Sequence, residues 1–114
     1  MPYIRARIGT TITEDQKTAI KADLGKKIEA LPGKAESGLM VDIADGCDLY
    51  YQGNKGNCAF VGVYLYKSSP RETKAKFAQL ACECIAEHTG VCKNNVYINF
   101  CELHDWFGNG QFLE

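Results

Sequence analysis

The feature that most constrains the fold is an order of segments that occurs twice, shifted by about 56 residues. In each half, a strand-like segment is followed by a helix-like segment and then by a second strand-like segment. The two halves cover about residues 2–45 and 58–101. Since no segment typical of a linker separates them, we interpret residues 1–114 as one domain with an internal repeat of two β-α-β units.

The first half carries clear local signals. Residues 3–8 alternate between apolar and polar side chains, as in a half-buried strand. Thr13 and Gln16 have the spacing of a capping box, which predicts a helix start. The apolar residues that follow at helical spacing are Ile20, Leu24, Ile28 and Leu31. Gly33 is expected to end this helix in a left-handed conformation, and residues 39–43 are the next predicted strand.

The second half repeats these signals. Residues 58–66 form a nearly continuous apolar run, which is typical of a strand buried on both faces. Ser69 and Glu72 have the spacing of a second capping box. The apolar positions of the helix are Phe77, Leu80, Ala81, Cys84 and Ile85. Gly90 is expected to end this helix, and residues 96–100 form the fourth predicted strand.

These elements predict an α+β fold of two layers. A right-handed crossover in each half makes the two strands of that half parallel, which places both helices on one face of a four-stranded mixed sheet. The other face would carry a mixed set of side chains: Arg5, Arg7, Met40, Tyr97 and Asn99. Because this set is too apolar for a solvated face and too polar for a dry core, we expect a symmetric partner to cover it.

Composition excludes several classes of protein. The 13 Lys and Arg residues against 14 Asp and Glu give a formal net charge of −1, which argues against nucleic-acid binding. No apolar run approaches the roughly 20 residues of a membrane span. The first residues contain no apolar signal-peptide core, so we expect a cytoplasmic protein without a membrane partner.

The cysteines need a separate interpretation. The six are Cys47, Cys58, Cys82, Cys84, Cys92 and Cys101, and no Cys-x-x-Cys pair occurs. In the expected compartment, we predict that all six are reduced. The two histidines, His88 and His104, show no ligand spacing with the cysteines in this interpretation, so we expect no metal and no cofactor.

Pro2 is the residue that points most directly to a chemical reaction. Proline after the initiator methionine allows methionine removal, which leaves a free secondary amine. An α-amino group titrates near pH 8 in water, and burial lowers its pKa further. Such an amine can act as a general base near neutral pH. Proline at position 2 is by itself a weak signal of catalysis, since it usually reflects only a favourable residue after the initiator methionine.

Three further features accompany Pro2. Residues 95–100 read Asn-Val-Tyr-Ile-Asn-Phe, residues 106–112 read Trp-Phe-Gly-Asn-Gly-Gln-Phe, and Gly33-Lys34 stands at the end of the first helix. With the doubled β-α-β order, these features resemble the macrophage migration inhibitory factor family of the tautomerase superfamily. The tail is similar to that family's Trp-Gly-x-Asn-Gly ending, with the glycine one place later and one residue missing. The resemblance implies a tautomerase-like β-α-β-β-α-β fold assembled as a homotrimer.

The resemblance also implies a role for each matching residue. Pro2 would be the general base, and Lys34 would bind a substrate carboxylate or an enolate oxygen. Tyr97 and Asn99 would reach the pocket from the neighbouring subunit, and Phe112 would form a wall of the pocket. Without the resemblance, Lys34 is an ordinary helix-end cation and Tyr97 an ordinary strand residue.

The sequence departs from the family at the end of the third strand. The family commonly has Ser-Ile-Gly there, whereas this sequence has Leu65, Tyr66 and Lys67. Tyr66 would narrow or reshape the pocket and contact substrate, and Lys67 would add a second cation. Mammalian members also carry a Cys-x-x-Cys that is associated with redox activity. Here Cys58 remains, with Val61 three residues on, which argues against that activity.

The resemblance leaves several functions open. The first is a tautomerase that isomerises an α-keto acid or a similar small carbonyl compound, with phenylpyruvate-type activity included. The alternative is a cytokine-like protein with little turnover, which would act on a protein receptor after leaderless secretion. A third is another proline-dependent reaction, such as hydration or decarboxylation, which would need a further charged residue such as Arg5 or Arg7.

Overall fold

The computed structural model describes residues 2–114; Met1 lies outside them. The elements in chain order are β1 (Pro2–Ile8), α1 (Glu14–Lys27), β2 (Met40–Ala44), β3 (Tyr50–Tyr51), β4 (Asn54–Lys55), β5 (Ala59–Tyr66), α2 (Arg71–Thr89), β6 (Val96–Leu103), β7 (Phe107–Gly108) and β8 (Gln111–Phe112). Within these residues, no helix combines the length and the apolar character that crossing a membrane requires.

The main sheet has four strands in the order β2-β1-β5-β6. β1 is parallel to β2 and β5 is parallel to β6, because each pair is joined through a helix. The two central strands, β1 and β5, are antiparallel. The predicted four-stranded mixed sheet is therefore confirmed.

The core lies between this sheet and the two helices. In β1 the alternate residues Ile4, Ala6 and Ile8 are fully buried, as the alternation of residues 3–8 predicted. Residues of β5, α1 and α2 complete the same cluster: Val61, Val63, Leu65, Ile20, Leu24, Phe77, Ala81, Cys84 and Ile85. One apolar cluster thus joins both helices to one face of the sheet, and the predicted two-layer α+β architecture is confirmed.

The opposite face of the sheet carries the mixed set of side chains that the sequence predicted. Met40, Phe60 and Tyr97 are 62%, 44% and 49% exposed. They lie beside polar residues of the same face, since Arg5 pairs with Asp42 in the sheet register. We call this surface the outer face.

The first helix begins as predicted and ends earlier. The Thr13 side chain accepts a hydrogen bond from the Gln16 backbone, and the Gln16 side chain accepts one from the Thr13 backbone. The α-helix stops at Lys27, and one 3-10 turn follows before Leu31 becomes extended. Leu31 precedes a proline, which disfavours helical backbone. Gly33 has the predicted left-handed backbone, but it lies beyond the helix end rather than at it.

The second predicted capping box is wrong. The residue before α2 is Pro70, and no side chain in the described part of the chain caps the helix. The backbone N–H of Ser69 instead donates to Glu102 of β6 at 2.7 Å, and the Lys74 ammonium lies 3.1 Å from the same carboxylate. Gly90, with φ of 80°, ends the helix as predicted.

Two short hairpins were not predicted. The β3–β4 turn contains Gln52 and Gly53, and the β7–β8 turn contains Asn109 and Gly110; all four residues have positive φ. Two consecutive residues with positive φ are typical of the tight turn that joins antiparallel strands. The Asn-Gly pair was a readable signal for the second hairpin.

All six cysteines are free thiols in the structure. We therefore expect thiol titration of the denatured, unreduced protein to count six groups. A count lowered by two for each disulfide would contradict the prediction, and prior reduction of the same sample provides the control.

Candidate active site

Pro2 stands at one end of the sheet, where β1 begins. It pairs with Leu65, near the end of the antiparallel strand β5. Proline has no backbone N–H to contribute to a ladder, so the first position of a strand suits it. The Pro2 side chain is fully buried and shares the helix-side face of β1 with Ile4.

Tyr66 lies directly after Leu65 and connects two other segments to this end of the sheet. Its carbonyl oxygen accepts a hydrogen bond from the Lys34 Nζ at 3.2 Å. Its hydroxyl donates to the carbonyl oxygen of Leu113 at 2.8 Å. The structure therefore brings Pro2, Lys34 and Tyr66, three of the residues named from the sequence, to one place.

Lys34 reaches this place from the loop between α1 and β2. Its side chain is half-buried, and the one hydrogen bond that it makes within residues 2–114 uses one of the three N–H donors of an ammonium group. The other donors have the capacity to bind an oxyanion at this end of the sheet.

The C-terminal hairpin lies against the same end. Leu113 donates its backbone N–H to the carbonyl of Trp106 at 2.8 Å, which holds the tail against the hairpin. The Phe107 and Phe112 rings pack edge to face with centroids 5.1 Å apart. Phe112 is 58% exposed, and it is tied to this end through its neighbour Leu113 and the Tyr66 hydroxyl.

Lys67 continues directly from Tyr66. Its backbone is left-handed, with φ of 68°, a conformation that a glycine adopts without steric cost. Its ammonium nitrogen lies 5.2 Å from the centroid of the Tyr66 ring. The predicted second cation is therefore close to Tyr66, the residue whose carbonyl oxygen also binds Lys34.

Tyr97 and Asn99 lie elsewhere in the same chain. They pair with Phe60 and Gly62 of β5, which are five and three residues from Leu65. At about 3.3 Å per residue, these positions are about 16 Å and 10 Å along the strand from Pro2. Both side chains are also on the outer face and exposed. A single chain therefore does not bring them to Pro2.

The surroundings of Tyr97 and Tyr3 were not predicted. The Tyr97 hydroxyl lies 2.7 Å from the Tyr51 hydroxyl, so β3 supports it. Tyr3, which follows Pro2, lies on the outer face and donates its hydroxyl to Asp42 at 2.8 Å. That hydrogen bond raises the pKa of Tyr3. Tyr3 lies on the face of the sheet opposite to the Pro2 ring.

A second group of chemically active side chains lies between the helices. Asp23 of α1 meets Cys84 and His88 of α2, and their ligand atoms all lie within 4.8 Å of one another. Cys84 and His88 are four residues apart, which places them on one helix face. The interpretation that the histidines have no ligand spacing with the cysteines is therefore wrong, and the i, i+4 spacing was the signal for it.

A family model described as macrophage migration inhibitory factor (MIF) matches residues 1–109. No curated protein matches the chain in sequence.

Solved structures share the whole fold at low sequence identity. Leishmania major MIF2 superposes with a TM-score of 0.92 at 17% identity, over 99% of this chain and 97% of that one. A structure described as a fused 4-OT wild type asymmetric trimer has a TM-score of 0.84 at 10% identity, over 96% and 94%. Pt0534 inactivated by 2-oxo-3-pentynoate has a TM-score of 0.85 at 11% identity, over 96% and 95%. At these identities the likeness establishes the fold alone.

Proposed function

Because the chain belongs to the macrophage migration inhibitory factor family, we propose that it is a keto–enol tautomerase whose general base is the Pro2 amine. The substrate is an α-keto acid or a similar small carbonyl compound, of the phenylpyruvate type. The observation that carries the proposal is the meeting of Pro2, Lys34 and Tyr66 at one end of the sheet. The tautomerase fold supports this type of activity.

The reaction needs the free amine that removal of Met1 would leave. The neutral Pro2 nitrogen takes a proton from the carbon next to the carbonyl group, and the carbonyl oxygen becomes an enolate. The protonated nitrogen then delivers the proton to that oxygen, which completes the enol; the reverse sequence gives the ketone. The Pro2 ring is fully buried, which supports the role, because an apolar environment disfavours the charged form of an amine.

Lys34 supplies the positive charge in this proposal. Its ammonium group is held at the Tyr66 carbonyl and retains donors for a substrate carboxylate or for the enolate oxygen. A fixed cation stabilises the negative charge that develops in the transition state. The same charge opposes protonation of Pro2.

Lys34→Ala should chiefly weaken the binding of carboxylate substrates. We expect KM for an α-keto acid to rise by about tenfold, which is the effect of losing roughly 1.4 kcal/mol from a charge-assisted hydrogen bond. The measurement compares KM for an α-keto acid with KM for the corresponding ester. Lys55→Ala, on the far hairpin, is the matched control. An equal change for acid and ester would contradict the assignment of the carboxylate to Lys34.

The proposal includes a homotrimer with small-molecule sites between subunits. Tyr97 and Asn99 would complete the site of the neighbouring chain, since in their own chain they are far from Pro2. The exposed Met40, Phe60 and Tyr97 of the outer face are apolar surface that association would bury. The similar fused 4-OT structure is described as a trimer.

Analytical ultracentrifugation tests the assembly. We expect a single species with three times the mass of the chain at micromolar concentration. Replacing Phe60 by Asp would place a charge in the buried contact and should shift the species toward monomer. Asp substituted for Tyr50, which is exposed on the β3–β4 hairpin, is the control. A wild-type monomer at this concentration would overturn the trimer.

Labelling tests the proposed base independently of turnover. With 2-oxo-3-pentynoate, the compound that inactivates the similar Pt0534, we expect one molecule to be added per chain through a bond from the Pro2 nitrogen to the alkyne. Mass spectrometry of the N-terminal peptide locates the adduct. Labelling at lysine with an unmodified Pro2 would contradict the proposal.

The alternative is a cytokine-like protein with little turnover, and one observation favours it. Tyr66 stands where the family commonly has isoleucine, and its hydroxyl ties the C-terminal tail over this end of the sheet. Tyr66→Ile separates the two functions, because a closed site should gain tautomerase activity on this replacement. An unchanged low rate in the variant would favour the receptor-binding function.

A further inference from the structure

The inference concerns the group of side chains between α1 and α2. The Nε2 atom of His88 lies 3.2 Å from the Oδ2 atom of Asp23. The Cys84 sulfur lies within 4.8 Å of the Asp23 carboxylate and of the His88 ring nitrogen. A thiol, an imidazole and a carboxylate from two helices thus point to one position.

The fold holds this group firmly. Cys84 is fully buried in the core, whereas the side chains of Asp23 and His88 are each about one-fifth exposed. The carbonyl oxygen of His88 accepts a hydrogen bond from Gln16 Nε2 at 2.8 Å, which joins the C-terminal turn of α2 to the start of α1. The group therefore has a buried sulfur at its base and an opening to solvent at its top.

We propose that a divalent metal ion such as Zn²⁺ binds to Asp23, Cys84 and His88 and links α1 to α2. Zinc takes cysteine, histidine and carboxylate ligands in tetrahedral sites, at about 2.3 Å from sulfur and about 2.0–2.2 Å from nitrogen or oxygen. Tetrahedral angles at those lengths separate a nitrogen and an oxygen ligand by about 3.3 Å, close to the observed 3.2 Å. A solvent molecule on the exposed side would be the fourth ligand.

The Lys27 ammonium group competes with this ion for the Asp23 carboxylate. Its Nζ lies 3.0 Å and 3.1 Å from the two carboxylate oxygens of Asp23. Although burial acts in the opposite direction, hydrogen bonds from Lys27, Cys84 and His88 hold the pKa of Asp23 below its usual value. An incoming ion takes the place of this ammonium group, which sits on a flexible stem with a quarter of its side chain exposed.

Binding also displaces the thiol proton. Burial, followed by the hydrogen bond to Asp23, raises the pKa of Cys84 to about 12. A metal binds the thiolate, so one proton leaves to solvent as the metal–sulfur bond forms. The ion would act through structure rather than through turnover, because the group lies in the helix layer while the candidate active site lies at the end of β1 and β5.

Cobalt(II) is the probe, because a cobalt–thiolate bond produces an absorption band that oxygen and nitrogen ligands do not give. The metal-free protein is titrated in a Cys92→Ser background, which removes the exposed cysteine. We expect one ion per chain with a thiolate band, displacement by Zn²⁺, and a higher melting temperature with Zn²⁺.

Three substitutions and one control variant decide the assignment. Cys84→Ser should abolish the band, and His88→Gln should weaken affinity by at least about tenfold. His104→Gln, at an exposed histidine, should leave affinity unchanged. Lys27→Ala should tighten metal binding, because it removes the ammonium group that competes for Asp23. If the Lys27–Asp23 ion pair had only a structural role, this variant would not bind the metal more tightly.

Two results would overturn the proposal: a folded wild-type protein without a thiolate band, or equal affinity in the His88→Gln and His104→Gln proteins. Far-ultraviolet circular dichroism establishes that each variant is folded. If Cys84→Ser fails to fold, the His88→Gln and Lys27→Ala titrations still decide, since both side chains are partly exposed. Affinity that is unchanged in His88→Gln and not increased in Lys27→Ala then rejects the site.

Discussion

Blocking the Pro2 amine is expected to slow keto–enol conversion by about 10²–10⁴-fold, the usual contribution of a general base. The variant carries one alanine inserted between Met1 and Pro2. After methionine removal its first residue is that alanine, and the Pro2 nitrogen is an amide without basicity. The rest of the site is unchanged in sequence, including Lys34 and its contact with the Tyr66 carbonyl.

The assay follows the enol of phenylpyruvate by ultraviolet absorbance, with mass spectrometry to establish the first residue of each protein. Pro2→Gly is the matched control, because it retains a terminal amine of lower nucleophilicity in the same place. We expect its rate to lie between those of the wild type and the insertion variant. Equal rates for the wild type and the insertion variant would eliminate Pro2 as the base.

The largest effect on stability is expected from Phe77→Ala. Phe77 is fully buried in the cluster between α2 and the sheet, and its ring packs against Phe100 with centroids 6.5 Å apart. Removing a buried phenylalanine ring leaves a cavity and typically lowers the free energy of unfolding by about 3–5 kcal/mol. Urea unfolding, followed at one fixed protein concentration because association adds stability, measures the change.

Phe107→Ala provides the comparison, since Phe107 is 64% exposed. Its replacement should change the free energy of unfolding by no more than about 0.5 kcal/mol, as for most surface positions. A Phe77 variant within this range would show that the helix layer contributes little to the cooperative core. Such a result would also weaken the proposal that metal binding between the helices stabilises the fold.

Much of the fold could be predicted because its signals are local. Alternation along residues 3–8 and the helical spacing of Ile20 and Leu24 are read within a few residues, and the buried faces follow them. The first capping box also depends on two residues three positions apart, and the structure contains both of its hydrogen bonds. The left-handed Gly90 marks the end of α2 for the same reason: backbone conformation at a helix end is a short-range property.

Errors arose where a distant segment intervened. The start of α2 differs from the predicted capping box because Glu102, 33 residues away, accepts the Ser69 N–H. Glu102 thus takes the acceptor role that the predicted capping box assigned to the Glu72 side chain. The β7–β8 hairpin is a different case, since its signal, the Asn109-Gly110 pair, is local to the turn.

The candidate site also combines features that the sequence determined with features that only the tertiary structure decided. The sequence by itself determined which residue types are available, namely the proline at position 2, Lys34, and the strand that carries Tyr97 and Asn99. The tertiary structure alone decided which of them meet: Lys34 contacts the Tyr66 carbonyl, whereas Tyr97 lies with Phe60, far along β5 from Pro2. Register and strand order set these separations, and both depend on pairing between segments that are remote in sequence.

The group between the helices illustrates the same limit most clearly. The sequence determined that Cys84 and His88 share one face of α2, because a spacing of four residues does so in any α-helix. The packing of α1 on α2 decided that Asp23, 65 residues from His88, completes the group at 3.2 Å. Helix packing follows from burial of apolar surface, which has no direction of its own. The polar atoms that it brings together therefore become known only when the whole core is assembled.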